Sequence, residues 1–152
     1  MRLFSFLSRP LPIDTAKIEQ AISQLEQRTS AELRVVVERK LARKHKGLSA
    51  IERADQLFDE LEMRATAERN GVLIYLCFKP HLVAVVGDEG IHQQVGDAFW
   101  QAVYQAMKQN CQQGNYTQAV CLAIAEVENA LAAHFPIQPD DVDELPNSVV
   151  IK

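Results

Sequence analysis

The sequence predicts an α/β domain, a three-layer αβα sandwich around a small mixed β-sheet, in the order helix, strand, helix, hairpin, helix, helix. Three observations carry this. In Val72-Leu73-Ile74-Tyr75-Leu76-Cys77-Phe78 both alternating faces are apolar, as a central strand covered by helices on each side requires. The run Leu82-Val83-Ala84-Val85-Val86 is again apolar and β-branched, and the short Lys79-Pro80-His81 link makes the two an antiparallel hairpin. A third strand pattern near Leu33 is separated from Val72 by a helical stretch, which makes a crossover and a parallel pair.

Each element has its own signal. Asp14 or Thr15 caps a first helix whose apolar positions Ile18, Ala21, Ile22 and Leu25 recur at helical spacing, ending near Arg28. In Ala31 to Glu38, Leu33, Val35 and Val37 alternate with Glu32 and Arg34, the pattern of a strand with one buried face nearer a sheet edge. Ser49 with Glu52 forms a capping box, and Ile51, Ala54, Phe58 and Leu61 then form the stripe of the second helix. Asn70-Gly71 is the turn into the central strand. Gly87-Asp88-Glu89-Gly90 ends the hairpin with two acids between two glycines. Beyond it, Val95, Ala98, Phe99, Ala102, Val103 and Ala106 mark a long helix that Gln112-Gln113-Gly114 stops. Asn115, followed by Gln118, reads as the cap of a last helix carrying Val120, Ala123, Ile124, Val127 and Leu131, ending at His134-Phe135-Pro136.

A chain of 152 residues suits one domain with one core. Residues 1–13 read as an N-terminal extension, 14–136 as the domain, and 137–152 as an acidic, flexible tail from which Val149-Val150-Ile151 could still dock as an extended piece. Four of the tail's residues are acids, against Lys152 alone, so the domain itself is nearly neutral and the formal charge of −4 offers no general attraction to nucleic acid. The three cysteines lack metal-type spacing, which points to packed thiols in a reducing compartment. The apolar patch at the start is too short for a secretory signal, and no run approaches the roughly 18 apolar residues of a membrane span. The expected location is cytoplasmic, in places peripheral to a membrane.

Chemistry has few places to reside. No nucleophile elbow, phosphate-binding glycine loop, dinucleotide fingerprint or zinc-helix motif is present, and no catalytic residue can be assigned. The acidic loop is the strongest candidate: Asp88 and Glu89 could ligate a hard cation, with Asn70, Asp97 and Glu38 the side chains most able to converge on them, or they could simply cap the helix that follows. The basic cluster Arg39, Lys40, Arg43, Lys44 and Lys46 is a solvated connection or a contact for an anionic surface such as lipid headgroups. Its lack of interleaved aromatic residues argues against nucleic acid.

The element order, together with Thr29-Ser30-Ala31-Glu32-Leu33-Arg34-Val35-Val36-Val37, Arg69-Asn70-Gly71-Val72-Leu73-Ile74, Val86-Gly87-Asp88-Glu89-Gly90-Ile91 and Gly114-Asn115-Tyr116, resembles the TPM domain family. That family is named after a thylakoid lumen protein, a photosystem II repair protein and a nematode receptor modulator. The resemblance covers roughly residues 14–136, and its nearest form is a short bacterial branch without signal peptide or membrane anchor. It implies the αβα sandwich, and it brings acid phosphatase activity and calcium binding in plant members and assembly or repair of membrane complexes in others. Two functions follow as expectations. The chain is a non-catalytic interaction or assembly module for membrane-associated protein partners, needing no cofactor, or it is a metal-assisted acid phosphatase in which Asp88 and Glu89 hold calcium or magnesium.

Overall fold

The computed structural model describes residues 10–139 and 148–152. Helix α1 (Thr15–Glu26) starts where the Asp14 side chain accepts the Lys17 N–H, and it buries Ile18, Ile22 and Leu25. Strand β1 (Glu32–Glu38) follows, then a basic connection with one 3₁₀ turn at Arg43–His45, then helix α2 (Ala50–Glu60). The Ser49–Glu52 capping box of α2 is complete in both directions. A second 3₁₀ turn at Met63–Ala65 leads into strand β2 (Gly71–Cys77), which is joined in a hairpin to strand β3 (Leu82–Gly87). Helix α3 (Glu89–Gln112) breaks at Gly96, and helix α4 (Tyr116–His134) returns antiparallel across the same face.

The four-stranded sheet has the order β3-β2-β1-β4. β1 and β2 are parallel, with Leu33 beside Val72 and Val37 beside Leu76, and β2 and β3 are antiparallel, with Ile74 beside Val85. Strand β4 (Val150–Ile151) comes from the expected tail and lies parallel to Val36 and Val37. Residues 140–147 and the N-terminal 1–9 fall outside the described residues.

Period-2 alternation sends the two sets of strand side chains into two cores. Leu33, Val35, Val37, Val72, Ile74 and Leu76 meet α1, α3 and α4 through Ile22, Met107, Ile124 and Val127. Val36, Leu73, Tyr75, Cys77 and Ala84 meet α2 through Ala54, Leu57 and Phe58, with Met63 closing the end. The molecule is thus the three-layer αβα sandwich that the sequence predicts. Phe58 is fully buried, and its removal to alanine is worth about 3–5 kcal/mol.

Three local expectations are corrected. β1 is buried on both faces, including Glu32, Arg34 and Glu38, because α2 lies over Val36 and β4 covers the strand's outer edge. The stripe of α2 is Arg53, Ala54, Leu57 and Phe58, and Ile51 is 55% exposed; a buried arginine has taken the place of an apolar residue. Asn115 precedes α4 without a side-chain cap, and it is Thr117 whose hydroxyl accepts a backbone N–H, that of Asp14.

Candidate functional site

The acidic loop sits where β3 ends and β1 and β2 begin. Asp88 continues the hairpin ladder by one bond, its N–H donating to the Gly71 carbonyl at 2.8 Å, so Asp88 and Asn70 come to the same sheet edge. Gly90 closes this edge. Its N–H donates to the Arg69 carbonyl at 2.8 Å, and a Cβ at Gly90 would lie 2.2 Å from the Glu68 carbonyl oxygen and 2.6 Å from that of Arg69. Gly87 is required for a different reason: the Trp100 ring lies where its Cβ would be, 2.2 Å away. Trp100 is held there by its Nε1 donating to His92 Nδ1 at 3.1 Å.

Asp88 is 1% exposed. Its Oδ1 accepts the Glu89 N–H at 2.7 Å and faces Arg64 Nη1 at 3.4 Å, while Oδ2 is buried and, among the described residues, has no hydrogen-bond partner. Asn70 is equally buried, its N–H donating to Thr66 Oγ1 at 3.2 Å and its Oδ1 likewise without a partner. Two buried acceptors, one a carboxylate oxygen and one an amide oxygen, are thus left unmatched among the described residues at this end of the sheet. Each such group costs about 1–3 kcal/mol, and more where it is ionised. Arg64 is half exposed and shared with Asp59 at 2.7 Å, whose hydrogen bond is the main cause raising the guanidinium above its ordinary value.

The TPM domain model matches residues 6–130, most of the chain. This chain belongs to the TPM domain family. Among the solved structures it is similar to the BA42 protein of the psychrophilic bacterium Bizionia argentinensis, determined by NMR, at 34% identity with a TM-score of 0.80 over 92% of this chain and 95% of that one. No curated protein matches it.

This TPM domain brings together only part of the side-chain set expected from the sequence. Asp88 and Asn70 reach the same end of the sheet. Glu89 stands beside them with its carboxylate turned to solvent, 4.0 Å from Arg69. Asp97 does not join: its side chain is 95% exposed and pairs with His92 at 3.6 Å. Glu38 is a correction, for it lies at the far end of the parallel strands, opposite Cys77, six residues or roughly 20 Å along the sheet from Gly71. There it is bound by Arg53 and Tyr75. Among the described residues no three His, Cys, Asp or Glu side chains gather as a metal cluster, so any cation here would rely on Asp88, the Asn70 amide oxygen and backbone carbonyls.

The remaining groups with chemistry are accounted for by burial. The Cys111 thiol is pushed up to about 11 by burial, and burial is also the main cause raising Cys77 and Cys121, so all three stay protonated thiols near neutral pH. The basic residues Arg39, Lys40, Arg43, Lys44 and Lys46 lie on the connection that leaves β1, at the end of the sheet opposite Asp88. No helix among the described residues is long and apolar enough to cross a membrane.

Proposed function

We propose that this TPM domain is a binding module without catalysis of its own, and that its acidic edge takes a hard divalent cation of the calcium class through Asp88 and Asn70. The observation that carries the reading is that two buried oxygens at this end of the sheet, Asp88 Oδ2 and Asn70 Oδ1, have no hydrogen-bond partner among the described residues. Calcium takes six to eight oxygens from carboxylates, amides, backbone carbonyls and water, and it tolerates irregular geometry. One carboxylate and one amide oxygen supply the anchoring ligands, and the nearby carbonyls and solvent complete the shell. Bound there, the ion would neutralise the buried charge and stiffen the 68–70 turn against the start of α3.

Catalysis is not favoured because a phosphatase needs more than a cation site. The thiols are protonated, and among the described residues the Asp88 carboxylate meets the Arg64 guanidinium and the Glu89 N–H, with no histidine hydrogen-bonded to it. The module reading, with a protein of a membrane-associated assembly as partner, needs only a surface whose shape the ion controls.

Calcium titration of thermal stability tests this, run beside Asp88→Asn and a phosphomonoester hydrolysis assay. A hundredfold excess over Kd should stabilise the native state by about 2.7 kcal/mol. Asp88→Asn should abolish the gain, with no hydrolysis above background in either protein. An unchanged melting temperature at millimolar calcium would remove the cation site, and hydrolysis lost in Asp88→Asn would replace the module by an enzyme.

A further inference from the structure

The opposite end of the sheet carries an open cleft of about 700 Å³ formed by the connection after β1 and the link between β2 and β3. Lys40, Arg43, Lys46 and Lys79 line it, with Leu48 and Pro80 as apolar wall, and no acidic side chain contributes. The two chain segments are tied together by the Leu41 N–H donating to the Lys79 carbonyl at 2.8 Å.

Its place in the topology is significant. β1 and β2 run parallel and both end here, and the cleft lies between the connections that leave them. Open α/β sheets bind ligands beyond the carboxyl ends of their strands, and both connections that form the cleft emerge at that end. Glu38 and Cys77, the last residues of β1 and β2, precede the two segments that line the cleft.

The charges are also unspent. Arg28, Arg53 and Arg64 each meet a carboxylate, whereas among the described residues Lys40, Arg43, Lys46 and Lys79 are in no ion pair. The nearest acid in sequence, Glu38, is turned inward and held by Arg53 and Tyr75, so it does not offset them. Like charges gathered in a concave site repel one another and raise the local concentration of anions.

We propose that this cleft is a binding site for a phosphate-bearing anion carrying more than one negative charge. Four cations outnumber the roughly two negative charges of one phosphate group near neutral pH, and a cleft of this size suits a small organic phosphate or the headgroup of a phospholipid. The site is independent of the Asp88 edge, at the other end of the strands.

The test uses the whole chain with pyrophosphate as soluble probe and two sets of vesicles, phosphatidylcholine alone and phosphatidylcholine with phosphatidylglycerol. Binding is followed by amide chemical shifts and by vesicle sedimentation. Pyrophosphate should shift amides of residues 40–48 and 79, and the Lys40→Gln, Lys79→Gln double variant should bind about tenfold more weakly or worse. Lys17→Gln with Lys108→Gln, an equal change of net charge elsewhere, should bind within about twofold of the parent. Cleft-dependent binding of pyrophosphate identifies a soluble phosphate. Cleft-dependent sedimentation with phosphatidylglycerol vesicles, without pyrophosphate shifts, identifies a headgroup. Equal weakening in both double variants, or no binding of either probe, overturns the proposal.

Discussion

Glu38 and Arg53 form a two-pronged ion pair inside the molecule, with Nε to Oε1 at 3.1 Å and Nη2 to Oε2 at 2.9 Å, and side chains only 4% and 6% exposed. Tyr75 completes it from the next strand, its hydroxyl donating to Glu38 Oε1 at 2.6 Å. The pair pins the first full turn of α2 onto the ends of β1 and β2. Removing one partner leaves the other charge buried. Arg53→Met should therefore destabilise the domain by about 3–5 kcal/mol, while Glu38→Leu with Arg53→Met should recover much of that loss. Urea unfolding of the single and double variants measures both, and a double variant as unstable as the single would show that packing, not charge, is the cost.

The same pair fixes an acid response. Burial on its own would raise the Glu38 carboxyl, but the hydrogen bonds from Arg53 and Tyr75 and the Arg53 charge outweigh it and hold the group below the usual glutamate range. A carboxyl depressed on folding binds its proton more readily in the unfolded chain, so stability rises with pH between the two values. The contribution is complete above the ordinary value near about 4.3 and is lost as pH falls through the folded one. Glu38→Gln should flatten this part of the acid limb. Melting temperatures from pH 6 downward check it, and identical slopes in parent and variant would contradict the assignment.

The C-terminal strand makes its own prediction. Lys152 N–H donates to the Val37 carbonyl at 2.9 Å, the Arg39 N–H to the Lys152 carbonyl at 3.0 Å, and the Val149 N–H to Glu19 Oε2 at 2.9 Å. Deleting residues 148–152 should leave the sandwich folded but cost about 2–3 kcal/mol at roughly 1 kcal/mol per bond, or about 4–12 °C in a domain of this size. The bared edge of β1 should also make the variant more prone to associate. A melting temperature unchanged by the deletion, with no association on sedimentation, would mean that β4 contributes nothing.

Much of this architecture was legible because its causes are local. Two-sided apolarity places β2 at the centre, the Ser49–Glu52 box starts α2 where it was expected, and Gly114 follows the end of α3. What was hidden depends on contacts distant in sequence. Arg53 reads as a solvent-facing residue until Glu38, fifteen positions earlier, is seen beneath it. Tyr75 was a clue, since a tyrosine inside an apolar strand needs a partner for its hydroxyl. At the acidic edge, Asp88 and Glu89 stood out as charges beside glycines, but the burial of Asp88 and Asn70 with unmatched oxygens arises only when β3 returns beside β2. Glu38 resembles them in the sequence because strand ends look alike there. Parallel pairing of β1 with β2 sends it to the other end.

The closure at Gly90 is sensitive to a single methyl group. A Cβ there meets two backbone carbonyl oxygens rather than a side chain that can move aside, so the 68–70 turn must shift. Gly90→Ala should cost about 1–3 kcal/mol by overpacking, break the bond to the Arg69 carbonyl, and weaken the calcium response along with stability. Thermal melts with and without calcium check this. A stable variant with the parent's calcium response would mean that the turn plays no part in the site.

The remaining prediction concerns Arg64, which competes with a cation for the same carboxylate. Its Nη1 lies 3.4 Å from Asp88 Oδ1, outside the usual range for a strong charge-assisted bond, while its Nε holds Asp59 at 2.7 Å. With a half-exposed guanidinium this contact is weak support for Asp88 but a persistent positive charge beside any ion bound there. Arg64→Gln removes the charge and leaves Asp88 and Asn70 in place. Without calcium the variant should be less stable than the parent, because a buried carboxylate has lost the cation that faces it. With saturating calcium the difference should shrink or reverse, and the affinity for calcium should rise several-fold, since a solvent-screened unit charge at such a distance contributes on the order of 1 kcal/mol. Calorimetric titration of parent and variant measures the affinities directly. A variant that binds calcium no better than the parent, and that calcium does not rescue, would establish Arg64 as the structural counterion of Asp88 and leave the acidic edge without a cation.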